Sequence, residues 1–321
     1  MNLFNSGQAT NQVVSANEQF FNRLYPDIRV NSNFGFVEPF MREMLQYGEG
    51  IKAITLNFTA LSDYEPNYNN EAFKFLTIEP EVESATLNSQ HKTVYNVSYY
   101  KNQFQFRNSE EAGVFLAQTI KTLNDGYILT MKRIIQSIFG VEFYNYFNNN
   151  LQQVINTVKS EFDQGRSVKS RKKDLLSAIR KVSFDLSFES EKNTFSPNKE
   201  NFSYVDQDEQ VVVMSYNNYD RLLKIPNTVY PDDYKIPAKV VVIPGMGDDK
   251  VFVGDPRVIN IYPQYYETFT EFNSRTLQYN LILHSWERIG VLGIFAGKII
   301  SVVDDNTYIN SSESWNGEEF N

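Results

Sequence analysis

Side chains able to do chemistry are sparse in this sequence. The two histidines, His91 and His284, lie far apart, and there is no cysteine at all. A metal centre or a nucleophilic triad needs several partners at matched spacing, and neither histidine has them nearby in sequence. Without thiols, disulfides, thiolate nucleophiles and Cys-ligated metals all drop out. The run Gly245-Met246-Gly247-Asp248-Asp249-Lys250 tempts as a phosphate loop. It fails both fingerprints: a dinucleotide loop needs glycine at 250, and a P-loop needs Gly-Lys-Ser/Thr opening a helix. A turn is the plainer reading. The acid pairs Asp232-Asp233 and Asp304-Asp305 have the chemistry for a divalent cation, but paired acids on loops are usually just solvated. The expectation is no catalysis, no cofactor and no metal.

Composition points the same way. The 321 residues include 25 Phe and 20 Tyr, ample material for a core and for apolar interfaces. A formal charge of −9 disfavours a dedicated nucleic-acid binder, which needs a basic surface. The first residues lack the basic-then-apolar order of a signal peptide, and no run of eighteen apolar residues occurs. A chain that is neither exported nor membrane-spanning is expected.

The elements that would carry these residues follow from periodicity. Residues 1 to about 50 read as an arm with little core of its own, with a short helix around Val13 to Leu24. Phe73 to Ile78 and Thr93 to Phe106 alternate as half-buried strands around the polar stretch Pro80 to Lys92, which predicts a two-stranded flap. A helix is expected to start at Asn108-Ser109-Glu110-Glu111, where a cap-like residue precedes Glu by three. Leu116, Ile120, Leu123, Tyr127, Met131, Ile134 and Ile138 give it one apolar stripe, and Gly140 ends it. A second helical region, from about Val141 to Phe162, leads into eight basic residues between Lys159 and Lys181 against three acidic ones, a local charge of +5. Lys169, Arg171, Lys172 and Lys173 are its centre, either a solvated helix face, a neighbour-facing surface or a DNA-facing one. The runs Val211 to Met214 and Val240 to Ile243, with a short helix at Asn217 to Leu223 between them, predict a small α/β lobe. Strand patterns resume from 258, ending in an apolar strand from Ile294 to Val303 before an acidic tail.

One string in that last region is far more specific. Glu267-Thr268, Asn273, Arg275, Leu277, Asn280, His284, Trp286 and Phe295-Ala296 follow the pattern E-T-x(4)-N-x-R-x-L-x-x-N, then H-x-W, then F-A. This resembles the C-terminal portion of major capsid proteins from small short-tailed phages with protein-primed genomes. The resemblance is strong over 266–296 and topological over about 70–303. It implies an α+β fold of the Hong Kong 97 phage type. The parts would be an N-terminal arm (1–60), an E-loop region (61–107), a peripheral domain with the spine helix (108–205) and an axial domain (206–265). The chain would return to the peripheral domain over 266–303 and finish in a tail (304–321). The implied function is self-assembly into the icosahedral shell of the virion, in the host cytoplasm, around double-stranded DNA. Partners would be other copies in hexamers and pentamers, with scaffolding and portal proteins. The motif residues are expected to be structural. An encapsulin-like compartment with enzyme cargo is the alternative within the same fold, and a soluble binding protein or enzyme is the alternative outside it.

Overall fold

The computed structural model describes residues 34–43, 53–58, 78–83, 90–100, 109–143, 147–198, 202–224, 236 and 238–304. The expected helix at Val13 to Leu24, the pair Asp232-Asp233 and the tail beyond Asp304 lie outside these residues.

The long helix forms where the stripe predicted it. Helix α1 runs over Ser109–Ile138, and Ile120, Leu123, Tyr127, Met131, Ile134 and Ile138 are all buried. Gly140 follows at φ +93°, a left-handed value that glycine adopts without steric penalty. Three strands contribute side chains to the same core as the helix. Strands β8 (Ile259–Asn273) and β9 (Gln278–Val291) form a long antiparallel hairpin, bulged between Pro263 and Tyr265. Strand β3 (Gln90–Tyr100) pairs along β9, from Gln90 opposite Arg288 to Tyr100 opposite Gln278. Helix and sheet approach closely at Gly126, where an added Cβ would sit 3.3 Å from the Tyr95 ring. Tyr95 in turn meets Tyr127 edge-on, with centroids 6.4 Å apart.

The flap is corrected by this pairing. Its second strand was expected to pair with 73–78, but residues 90–100 belong to the core sheet and pair with β9. Instead, β1 (Ala53–Phe58) and β2 (Ile78–Glu83) form an antiparallel ribbon, with Ala53 opposite Glu83. Alternation of apolar and polar residues reports one buried face and carries no information on the partner strand.

The described part of the arm, residues 34–43, packs on the rest of the chain. Phe34, Val37 and Phe40 enter the same core as α1. A 3-10 turn over Gly35–Phe40 spaces Val37 and Phe40 three apart and so aligns them on one side. Arg42 then donates from Nε to the Asn260 Oδ1 at 2.6 Å, and Met41 bridges to Ile261.

A second sheet holds five strands in the order β4-β10-β7-β5-β6. These are β4 (Ser167–Arg171), β5 (Val211–Met214), β6 (Lys239–Val242), β7 (Lys250–Gly254) and β10 (Gly297–Val303). Three helices accompany them: α2 (Asn149–Asp163), α3 (Leu175–Leu186) and α4 (Tyr216–Leu223). Alternation along the strands divides their side chains between two clusters. Val211, Val213, Phe252 and Ile299 join the core of α1 and α2. Val212, Met214, Val251, Val253, Ile300 and Val302 pack with Leu175, Ile179, Val182 and Leu186 of α3. At the seam, the Phe162 ring lies 4.8 Å from Phe139 and 5.6 Å from Phe195 and Phe252. Each such ring contributes about 1.5–3 kcal/mol on burial. Strand order places 259–291 in the three-stranded sheet and 297–303 inside the five-stranded one.

Candidate functional site

The motif residues spread along the β8–β9 hairpin and the crossing that follows it. Backbone register sets Glu267 opposite His284 and Thr268 opposite Leu283. At the hairpin tip, Asn273 Oδ1 accepts from the Arg275 N–H at 3.0 Å and the Thr276 N–H at 3.4 Å, the side-chain turn that Asn favours. Arg275 itself is exposed. Leu277 adopts φ +52° with its side chain 56% exposed, an unusual backbone state for a branched aliphatic residue. Asn280 accepts from the Ser98 hydroxyl at 2.8 Å, fastening β9 to β3. Trp286 is half-buried, with the Lys92 ammonium 4.2 Å from its ring. This cation over an aromatic face covers the sheet beside the motif.

Phe295 and Ala296 occupy the crossing between the sheets. The Phe195 N–H donates to the Phe295 carbonyl at 2.9 Å, and the Asp255 N–H donates to the Ala296 carbonyl at 2.8 Å. Arg257 lies 4.6 Å over the Phe295 ring while its guanidinium holds the buried Asp255 carboxylate at 2.6–3.0 Å. Two electrostatic contacts therefore fix one dipeptide.

The basic stretch is not one surface. Lys159 sits half-buried on α2, and Arg180 and Lys181 half-buried on α3. Lys172 is ion-paired with Asp304. Lys169, Arg171 and Lys173 are exposed. They lie on or just past β4, the edge strand, and positive charge on an edge discourages unwanted strand pairing.

The tempting loop at 245–250 is the turn joining β6 to β7, with Gly245 at φ +82°. The Asp248 carboxylate accepts from the Ser215 hydroxyl at 2.5 Å and from Asn217 Nδ2 at 3.0 Å. Those bonds hold its acidity stronger than usual, Ser215 first. The start of α4, where a phosphate would dock, is occupied by the protein's own anion.

Two buried polar residues carry no motif that marks them in the sequence. His91 is 3% exposed and bonded to Thr93, with burial alone pushing its pKa down to about 4. Its register partner Glu287 is fully buried, and burial pushes it up to about 8. Alternation along β9 holds the signal, because Leu281, Leu283, Ser285, Glu287 and Ile289 all face inward. Neither group belongs to a metal-binding cluster among the described residues.

Comparison with solved structures identifies the architecture. The chain superposes on one from the capsid of Staphylococcus phage Andhra with a TM-score of 0.53 at 11% identity, covering 82% of this chain and 83% of that one. It matches a chain from the capsid of an empty GTA particle with a TM-score of 0.51 at 8% identity, covering 84% and 90%. The fold is thus the Hong Kong 97 type of phage capsids. None of the curated proteins matches the sequence. The family model described as Phi29-like phage major capsid protein spans residues 13–293, most of the chain, and this protein belongs to that family, whose members build the shell of the phage head.

Proposed function

We propose that the chain closes around double-stranded phage DNA as hexamers and pentamers, assembling in the host cytoplasm with scaffolding and portal partners, and that its role is structural without catalysis. The observation that carries this reading is the β1–β2 ribbon. Its strands pair with each other and pack extensively on no other named element among the described residues. A two-stranded ribbon is marginal in water alone, so it gains its stability from a neighbouring subunit. Interfaces that form only in the assembly are large and obligate, which is the economy of a shell. Contact with DNA falls to the exposed Lys169, Arg171 and Lys173, and contact of that kind is blind to sequence because it reads only phosphate.

The test removes the ribbon. Ala53 and Glu83 are register partners, so a short Gly-Ser linker replaces the segment between them without stretching the chain. The expected product folds, shown by a cooperative melt, but forms no closed particles by negative-stain microscopy when the intact chain does. Normal particles from the shortened chain would overturn the reading of the ribbon as an assembly element.

A further inference from the structure

We propose that the exposed cationic strip Lys169, Arg171 and Lys173 is the docking surface for the acidic segment 305–321 of the same chain. Strand β10 delivers that segment to the strip. It runs parallel to β4 with Val303 opposite Arg171, so the chain leaves the sheet beside the strip's centre. The first residue beyond the strand, Asp304, is already ion-paired with Lys172. Residues 305–321 then contain Asp305, Glu313, Glu318 and Glu319 and no Lys or Arg. Four acids thus follow at the place where three exposed cations stand. Reach is ample: an extended chain covers about 3.3–3.6 Å per residue, while the five residues of β4 span about 16 Å.

Each exposed ion pair is weak by itself. Tethering changes the balance, because a segment joined directly to the site acts at high effective concentration. The segment and DNA phosphate want the same three side chains, so docking sets how strongly the strip attracts DNA. The proposal holds whether or not the inner face of a shell bears the strip.

Zero-length carbodiimide cross-linking on a mixture of unlabelled and 15N-labelled full chains tests it directly. The expected products join Glu313, Glu318 or Glu319 to Lys169 or Lys173 within one chain, and they fade at about 0.5 M salt, where the Debye length shrinks to a few ångströms. Cross-links between copies alone would show that a neighbour's segment is the occupant, and cross-links to other lysines alone would show that the strip is not the site. Either result overturns the proposal. A second measurement uses random-sequence double-stranded DNA. Neutralising the segment with Asp305→Asn, Glu313→Gln, Glu318→Gln and Glu319→Gln is expected to tighten binding severalfold in the intact strip. With Lys169→Gln, Arg171→Gln and Lys173→Gln also present, the same neutralisation should change little. Equal tightening in both backgrounds would mean a net-charge effect only, and the docking model fails.

Discussion

His91 and Glu287 face each other across β3 and β9, both buried, and burial favours the neutral form of each. Among the described residues the Glu287 carboxyl has no well-formed hydrogen bond, and Ser285 beside it offsets only part of the cost of burial. Tyr95 on β3 adds to the cluster, its hydroxyl kept from ionising by burial first and by Glu287 second.

Stability should therefore fall on the alkaline side. The folded chain holds the Glu287 proton up to about pH 8, whereas the unfolded chain releases it near 4.5, so the folded state loses ground between these values as pH rises. His91 acts oppositely: the unfolded chain takes a proton near 6.5 and the folded chain refuses it until about 4. The two slopes offset between about 4.5 and 6.5, and above that Glu287 acts alone. Glu287→Gln is expected to remove the alkaline limb, worth on the order of a few kcal/mol. Thermal melts at pH 6 and pH 9 measure it; an unchanged gap between the two would assign the limb to another group.

A methyl group at Gly254 has nowhere to go. Its Cβ would stand 2.6 Å from the Ala296 carbonyl oxygen and 2.6 Å from Gly297 Cα, both backbone atoms at the crossing between the sheets. Gly254→Ala should cost about 1–3 kcal/mol in urea unfolding, the range of an overpacked core. Wild-type stability would mean that the crossing yields easily.

Leu277 offers opposite signs in one substitution. Replacing it with Gly relieves the left-handed backbone and should stabilise the isolated subunit by up to about 1 kcal/mol. The same change deletes an exposed apolar side chain at the hairpin tip, and particle yield should fall. A loss of stability with unchanged yield would reverse the assignment.

DNA binding gives a quantitative check on the strip. Lys169→Gln, Arg171→Gln and Lys173→Gln together should flatten the salt dependence, the log-log slope falling by about 0.9 for each phosphate no longer neutralised. Shell formation should persist. Unaltered DNA binding joined to failed assembly would make the strip a subunit interface instead.

The local parts of this fold could be read from the sequence, and the long-range parts could not. The stripe from Ile120 to Ile138 and the run Val211 to Met214 declare their own conformations, because period and apolarity are properties of neighbours in the chain. Nothing near Tyr95 says that its strand pairs with Leu283, nor that Phe34, Val37 and Phe40 reach the core of α1. Asn273 and Asn280 stood out through family resemblance, and their hydrogen bonds explain the residue types at both positions. Glu287 was hidden because an acid between Trp286 and Arg288 looks like a solvated position until its alternation with Leu283 and Ile289 is counted.

The threading of β10 has a consequence for the timing of synthesis. β3 finds its partner only when β9 has been made, and β4 meets no neighbour in its sheet until β10 is inserted beside it. Both sheets therefore wait for residues 278–303, and an emerging polypeptide displays unmatched strands for most of its translation. A ribosome that stalls before residue 278 releases a product with neither sheet complete, and such fragments carry no finished surface with which to enter a growing head.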